Sequence, residues 1–188
     1  MARPKNTALR RHQIVDGLRV VLAERGYEKA TIAAIARAAG LTSGLVHYHF
    51  PSKQAILLEL IEHLRQQVRS RQKEGHSPGE RLRAFIEARL ARGPDADPTA
   101  VACWVSIGAE ALRQPEVAAV YHDLLAEQKA ELESILTPLS QQPEVDAVAI
   151  LAAIEGCYQL ASAAPDLVPV GFAFEAVWRM AGGLFTKI

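Results

Sequence analysis

Cysteine is scarce in this 188-residue chain, and its scarcity limits the chemistry that the sequence supports. The two cysteines, Cys103 and Cys157, have no CxxC spacing and no metal-binding partners close by in the sequence. Isolated thiols in apolar stretches are typical of reduced, buried residues in a cytoplasmic protein, and not of a disulfide framework or a zinc site. We therefore predict a cytoplasmic protein with no metal site and no cofactor.

Alternating apolar and polar runs between hairpin turns are also missing, which argues against β-strands. Hydrophobic residues make up 49% of the chain, so a packed core is expected rather than disorder. No nucleophile stands beside a base in the sequence, since Ser106 lies near Glu110 but has no neighbouring His. The composition thus predicts an all-α protein that is not an enzyme.

Neither of two segments that could indicate a membrane protein does so. The segment from Met1 to Thr7 is polar and basic with no apolar run behind it, so we predict no signal peptide. The apolar segment from Ala147 to Ala164 is barely long enough to span a membrane and contains Glu155 near its middle. We therefore expect a buried bundle helix there, and no membrane contact.

The formal net charge is zero, but the charges are unevenly distributed. Residues 1–75 carry 13 Lys and Arg against 6 Asp and Glu, whereas residues 76–188 carry 8 against 15. A basic head on an acidic body is typical of a protein whose head alone meets a polyanion such as DNA. Chance variation in the charge of solvated helix faces is the alternative interpretation.

Capping residues and glycines indicate short helices in the first third of the chain. A first helix is predicted to end at Gly26, and Thr31 caps a short second helix that ends at Gly40. Thr42 or Ser43 then caps a third helix. Two short helices joined by a glycine turn on a helical support form the helix-turn-helix arrangement, which we predict over about residues 31–50.

The run EGHSPG at residues 74–79 is the clearest break in the chain. Further helices are predicted at about residues 80–91, 99–112, 115–136, 144–163 and 171–187. We therefore predict a DNA-binding domain at 8–66 and a ligand-binding and dimerisation domain at 67–188.

The start of the third helix has the composition of a DNA-contacting surface, because a capped helix N-terminus attracts anions. Base edges are expected to be contacted by Thr42, Ser43, Gly44 and Leu45. Phosphates are expected to be contacted by Thr31, His47, Tyr48, His49 and Lys53. Partial burial of His49 against the first or fourth helix is an alternative. The HxH pattern is no metal site, because residues i and i+2 of a helix point about 200° apart.

From Gly26 to Leu60 the sequence reads GYEKATIAAIARAAGLTSGLVHYHFPSKQAILLEL, and this stretch resembles the DNA-binding domain of the TetR family. The matching features are Gly26-Tyr27, Thr31, Ile35-Ala36, Ala39-Gly40, Ser43-Gly44, the HYHF end and Lys53. The family usually has Tyr where this chain has His47, whose ring can still donate to a phosphate. The resemblance implies a homodimer, a palindromic DNA operator and a ligand pocket in the later helices.

The second half is similar, more weakly, to the BetI-type C-terminal domain of that family. This similarity lies in ACWVS at residues 102–106, AEALR at 109–113 and the Pro115-Glu116 pair. It implies the architecture of the second domain but not the identity of its ligand.

Residues of the later helices are candidates for a small-molecule pocket, although ordinary core positions are the alternative for each. The candidates are Phe85, Cys103, Trp104, Ile107, Glu110, Tyr121, Glu155, Tyr158 and Gln159. Glu155 stands inside an apolar helix. It can bind a cationic ligand, pair with an Arg or lie at a dimer seam.

The last two helices combine small residues with a large apolar surface, which favours a four-helix homodimer interface over a self-contained monomer. We expect a repressor that binds double-stranded operator DNA and is released when an unknown small-molecule effector moves the fourth helix. A helical protein-interaction module without DNA binding is the alternative function.

Overall fold

The computed structural model describes residues 3–90 and 96–184, and their regular structure is helical. Apart from a short 3-10 helix at Pro165–Leu167, these residues form α1 (Arg3–Lys29), α2 (Ile32–Ala38), α3 (Ser43–His49), α4 (Lys53–Arg71), α5 (Pro78–Arg89), α6 (Pro98–Ala111), α7 (Pro115–Leu136), α8 (Pro143–Ala163) and α9 (Phe172–Leu184). The predicted all-α fold, a helix-turn-helix followed by a larger helical region, is confirmed.

Local signals account for most helix boundaries. The Ser77 hydroxyl accepts from the Glu80 backbone N–H and the Glu80 carboxylate accepts from the Ser77 backbone, so α5 begins at Pro78. The first helix kinks at Gly26, whose φ of 74° lies in the left-handed region, before it ends at Lys29. The predicted ends of the fifth and last helices fall outside the described residues.

One continuous core joins the two halves of the chain. Within it, α6 lies against α1, α7 and α8, and α4 runs unbroken from Lys53 to Arg71 across the predicted boundary after residue 66. The two halves are therefore joined both through α4 and through the contact between α6 and α1.

The helix α8 is long and apolar enough to cross a membrane by length and composition alone, but it packs against α6, α7 and α9. Ala147, Ile150 and Ile154 are buried on this side, whereas Val145 and Val148 are exposed on the other. In the single chain one face of α8 is therefore buried and the other is exposed.

Candidate DNA-binding surface and effector pocket

Two capped helix starts and one glycine form the helix-turn-helix of α2 and α3. The Thr31 hydroxyl accepts from the Ala34 backbone N–H at 3.1 Å, and the Thr42 hydroxyl accepts from the Leu45 N–H at 3.3 Å. Gly40 has a φ of 66°, which turns the chain without the penalty of a Cβ. Each hydroxyl accepts with its oxygen, so its hydrogen can donate to a phosphate.

A glycine that the sequence analysis missed determines how closely α1 approaches α2. A Cβ on Gly17 would lie 2.7 Å from the carbonyl oxygen of Ile35 and 3.0 Å from the Cβ of Ala39. A side chain at this position would push α2 outward and tilt the turn that it carries. A lone glycine inside an amphipathic helix was the available sequence signal.

The helix α3 has an open outer face. Tyr48 is 78% exposed, and nothing lies within 4 Å of a Cβ built on Gly44. The predicted DNA contacts that are exposed are Thr31, Thr42, Ser43, Gly44, His47 and Tyr48. Leu45, His49 and Lys53 are half-buried. This face is therefore free of the rest of the chain, as insertion into a major groove requires.

Arg11, which the sequence analysis also missed, fixes the C-terminal end of α3. It donates to the carbonyl oxygen of His49 at 2.7 Å, and its guanidinium lies 4.0 Å from the ring centroid of Phe50. It also pairs with the Glu59 carboxylate on α4. One side chain thus connects α1, α3 and α4, which holds the recognition helix at a fixed angle.

Lys53, the predicted phosphate contact at the start of α4, bonds to the protein. Its ammonium donates to the Tyr27 carbonyl oxygen at 2.8 Å and lies 3.8 Å from the centroid of the Tyr27 ring. Burial lowers the pKa of Lys53, while the carboxylates of Glu110 and Glu28 raise it. The cation is therefore held at the base of the helix-turn-helix and is not extended into solvent.

Three predicted pocket residues lie instead on the side of α6 that packs on α1. Cys103, Ile107 and Glu110 follow the i, i+4, i+7 spacing of one helix face, and all three are buried. The Cys103 thiol lies 3.5 Å from the carbonyl oxygen of Arg19 on α1. They do not line the cavity described next, which lies on another face of α6.

Four other predicted residues do meet around one cavity between α4 and α8. Trp104, Tyr121, Glu155 and Tyr158 line a space of about 50 Å³. The Tyr121 hydroxyl donates to the Glu155 carboxylate at 3.0 Å. Gly108 permits this arrangement, because a Cβ there would lie only 3.3 Å from the Tyr121 hydroxyl.

Glu155 differs from the other carboxylates of this cavity in its ion pairs. Glu127 pairs with Arg65 and Arg69, and Glu131 lies 3.7 Å from the Arg89 guanidinium. Among the described residues, no cationic side chain forms an ion pair with Glu155. Burial raises the pKa of Glu155, and the hydrogen bond from Tyr121 opposes that effect. Of the three interpretations of Glu155, pairing with an Arg is the one that these contacts do not support.

The remaining two pocket predictions do not reach the cavity. Phe85 is fully buried, and the Arg89 guanidinium lies 3.3 Å from its ring centroid and covers it. Gln159 is exposed on the outer side of α8.

Arg89 is a residue of the cavity that the sequence analysis missed. Its Nε donates to Gln128 at 2.7 Å and burial lowers its pKa to about 10, so it is a buried cation of the cavity wall.

A larger cavity of about 640 Å³ lies beyond Trp104 and Tyr158, toward the start of α9. Its walls are mainly apolar, with Leu90, Val101 and Phe172 among them. Arg89, Trp104 and Tyr158 line both cavities and therefore stand between them.

The outer face of α8 and α9 is apolar and uncovered in the single chain. Its large exposed residues are Val145, Val148, Leu160, Met180 and Leu184. Nothing lies within 4 Å of a Cβ built on Gly156, Gly182 or Gly183. Small residues among apolar ones allow two helices to approach closely.

A capped two-helix turn with an open second helix, joined to a helical body with an internal cavity, defines a helix-turn-helix transcriptional regulator. Residues 14–60 match the family model described as bacterial regulatory proteins, tetR family, and residues 78–185 match the model of the BetI-type transcriptional repressor, C-terminal. The chain belongs to the TetR family, with a C-terminal half of the BetI type. Proteins of this family are transcriptional regulators and not enzymes.

Curated relatives are named HTH-type transcriptional regulator BetI. The protein from Serratia proteamaculans is 32% identical over 115 residues, and the one from Rhizobium meliloti is 33% identical over 113 residues. The matches cover 58% of this chain and 58% and 55% of those proteins. The chain thus matches the relatives over little more than half of their length.

Solved structures share the fold over nearly the whole chain. A transcriptional regulator from Rhodococcus sp. superposes with a TM-score of 0.84 at 22% identity, covering 93% of this chain and 95% of that one. A regulator from Saccharomonospora viridis, solved in complex with choline, superposes with a TM-score of 0.72 at 21% identity, covering 96% and 97%.

Proposed function

We propose that this protein is a homodimeric repressor that binds a palindromic DNA operator and is released by a small organic cation. In this proposal residues 8–66 bind DNA, residues 67–188 bind the effector and form the dimer, and the protein acts in the cytoplasm. The observation that carries it is the open outer face of the capped helix α3, where Tyr48 is 78% exposed.

The proposed DNA contacts follow from this exposure. The residues proposed to contact base edges in the major groove lie at the N-terminal turn of α3: Thr42, Ser43, Gly44 and Leu45. Their mostly small side chains allow the helix to approach the bases closely. Thr31, His47, Tyr48, His49 and Lys53 are proposed phosphate contacts, which set affinity and register but carry no base preference.

The proposed dimer interface is the outer face of α8 and α9, because it is an apolar surface that the described residues leave uncovered. Two copies related by a two-fold axis would form a four-helix interface and place two recognition helices in successive major grooves. Val148→Asp is expected to dissociate the dimer and abolish specific operator binding in analytical ultracentrifugation and DNA-binding assays. A dimer that survives this change would locate the interface elsewhere.

The proposed effector is a compact cation bound by Glu155 between the rings of Trp104, Tyr121 and Tyr158. Aromatic faces and an unpaired carboxylate attract organic cations, and choline, the ligand of the Saccharomonospora neighbour, is such a molecule. A cavity of about 50 Å³ is smaller than ordinary ligand pockets of about 300–1,000 Å³. Binding therefore requires the walls to move, and Trp104 connects that movement to α6.

A salt series with duplex DNA tests the DNA-binding half of the proposal. Affinity is expected to fall steeply between about 50 and 200 mM salt as phosphate contacts release counterions. His47→Ala should weaken binding to every duplex, because it removes a proposed phosphate contact that carries no base preference. His122→Ala, which changes another exposed histidine, on α7, is the matched control and should leave the affinity unchanged. A wild-type protein that binds no duplex would leave the protein-interaction module as the function.

Choline titration followed by tryptophan fluorescence tests the effector half. Saturable quenching is expected for the wild type, a loss of affinity for Glu155→Gln, and no change for Glu144→Gln, whose carboxylate is 78% exposed on the same helix. Equal choline affinity in all three proteins would remove Glu155 from the effector site.

A further inference from the structure

The recognition helix α3 is too short to be stable by itself. It has seven residues, whereas isolated helices shorter than about 12–15 residues are marginal in water. The carbonyl groups of a helix's last turn also have no N–H partner within the helix. The orientation of α3 therefore depends on the groups that contact its two ends, which are the Thr42 cap at the start and Arg11 at the end.

Arg11 supports the C-terminal end of α3 with both the edge and the face of its guanidinium. Its Nη1 donates to the His49 carbonyl oxygen at 2.7 Å, and its plane lies 4.0 Å from the centroid of the Phe50 ring. A cation at this end of a helix is also favoured by the helix dipole. Because Phe50 is 1% exposed, its ring is held by the core and gives the guanidinium a fixed surface.

Glu59 on α4 holds the remaining edge of this guanidinium. The Arg11 Nε donates to one carboxylate oxygen of Glu59 at 3.3 Å, and the Arg11 Nη2 donates to the other. Two parallel bonds of this kind fix the plane of a guanidinium as well as its charge. Glu59 therefore sets the direction of Nη1, which is the nitrogen that meets the His49 carbonyl oxygen.

Neither folding nor charge accounts for a carboxylate at position 59. The Arg11 and Glu59 side chains are 38% and 25% exposed, and ion pairs near the surface contribute little to the free energy of folding. A carboxylate beside the proposed DNA-binding surface also repels phosphates. The position of α3, in contrast, depends directly on the contacts of Glu59.

We propose that Glu59 is a positioning residue for DNA recognition: through Arg11 it holds the C-terminal end of α3 at the angle that fits the major groove. This inference rests on the proposed DNA-binding function and adds to it a residue that acts without contacting DNA. The helix α4 that carries Glu59 also lines the smaller cavity with Arg65 and Val68. The angle of α3 then depends on where α4 places Glu59.

The test compares binding to two duplexes, one that the wild type selects from a random pool and one of arbitrary sequence. Glu59→Gln keeps the size of the side chain but retains only one acceptor for Arg11. It should lower the affinity for the selected duplex by about twofold to fivefold for each recognition helix, because a less fixed α3 must be ordered on binding. Binding to the arbitrary duplex depends on phosphate contacts and should not weaken. Loss of a repulsive charge alone would tighten binding to both duplexes, so the direction of the change is diagnostic.

Three further proteins separate an effect through Arg11 from a general change on α4. Glu62→Gln is the matched control, because Glu62 is also a paired carboxylate of α4 but its partner is Arg65, and it should not lower the affinity for the selected duplex. Arg11→Lys keeps the charge but not the planar fork, so it should weaken this binding as Glu59→Gln does. In an Arg11→Ala background, Glu59→Gln should cause no further loss.

The backbone amide resonances of residues 43–50 report the position of α3 in the protein without DNA. In proton–nitrogen correlation spectra they should shift in Glu59→Gln and stay in place in Glu62→Gln. A change of stability alone would not move them while the protein is folded. Thermal unfolding checks that each variant is folded, and if Glu59→Gln is not, Arg11→Lys takes its place in both measurements.

Four results would overturn the inference. They are unchanged or tighter binding of the selected duplex by Glu59→Gln, a loss that persists in the Arg11→Ala background, an equal loss in Glu62→Gln, and unshifted α3 resonances in Glu59→Gln. A wild-type protein that selects no duplex would instead defeat the proposed DNA-binding function, while the spectra would still test whether Glu59 positions α3.

Discussion

The two proposed sites of this chain are built by different kinds of contact. The DNA-binding surface lies between Thr31 and Lys53, and its shape depends on two side-chain caps and one left-handed glycine within that short stretch. The effector cavity takes its walls from α4, α5, α6, α7 and α8. A surface made by local contacts follows from residue spacing, whereas a cavity follows only from the packing of helices that are distant in sequence.

The two proposed sites also differ in how far their side chains are exposed to solvent. Most residues of the proposed DNA-binding surface are exposed to solvent, so substitutions at these positions should change affinity more than folding. The cavity is lined by buried aromatic and charged groups, so substitutions there change folding and binding together. Variants that contrast exposed with buried positions test this division.

The largest expected effect contrasts two aromatic residues of the HYHF segment. Phe50→Ala removes a ring that is 1% exposed and should lower the free energy of unfolding by about 3–5 kcal/mol. Tyr48→Ala removes a ring that is 78% exposed and should change it by less than about 0.5 kcal/mol, while it weakens DNA binding. Urea unfolding followed by circular dichroism measures both. Equal losses of stability would mean that the exposed Tyr48 ring contributes as much to folding as the buried Phe50 ring.

The next effect contrasts two glycines of the head. Gly17→Ala places a Cβ 2.7 Å from the Ile35 carbonyl oxygen, and the displacement of α2 should cost about 1–3 kcal/mol of unfolding free energy. Gly44→Ala meets nothing within 4 Å and, inside a helix, should be neutral or slightly stabilising. Calorimetric melting of both variants decides this, and a Gly17→Ala protein as stable as the wild type would show that α1 and α2 separate freely.

A smaller effect concerns the cap of the recognition helix. Thr42→Ala removes the acceptor for the Leu45 backbone N–H and should cost about 1 kcal/mol. Thr42→Ser retains a hydroxyl at the same place and should restore most of the loss. If both variants are equally destabilised, the methyl group of Thr42, and not its hydroxyl, stabilises the start of α3.

The sequence predicted local features well and tertiary ones poorly, for physical reasons. Thr31, Gly40 and Thr42 were placed correctly, because caps and left-handed turns depend on residues within four positions. Cys103 and Glu110, which were predicted for the pocket, lie on the face of α6 that packs on α1. Apolar periodicity shows that one side of α6 is buried but does not show which neighbouring helix covers it.

Long-range polar contacts were missed for a related reason. Arg11 bonds to a backbone carbonyl 38 positions away, and Arg89 bonds to Gln128, 39 positions away. An arginine in an amphipathic helix has the same sequence signature whether its guanidinium meets solvent or a distant acceptor. Only the packing of the helices distinguishes these cases.

The smallest expected effect is a dependence of stability on pH at the effector cavity. Burial holds the pKa of Glu155 above its ordinary value of 4.5. A group whose folded pKa lies above its unfolded pKa stabilises the folded state fully below the unfolded value, and this contribution is lost as pH rises through the folded pKa. The wild type should therefore lose stability relative to Glu155→Gln as pH rises above 4.5.

Urea unfolding of both proteins at a series of pH values measures this difference. Glu144→Gln, a change of an exposed carboxylate on the same helix, should run parallel to the wild type. At neutral pH, saturating choline should reduce the difference in unfolding free energy between the wild type and Glu155→Gln. It should do so by stabilising the wild type, because a bound cation favours the ionised carboxylate. Parallel curves of unfolding free energy against pH for the wild type and Glu155→Gln would mean that the Glu155 carboxylate is solvated. The cavity would then lack a buried, desolvated carboxylate for a cation to bind.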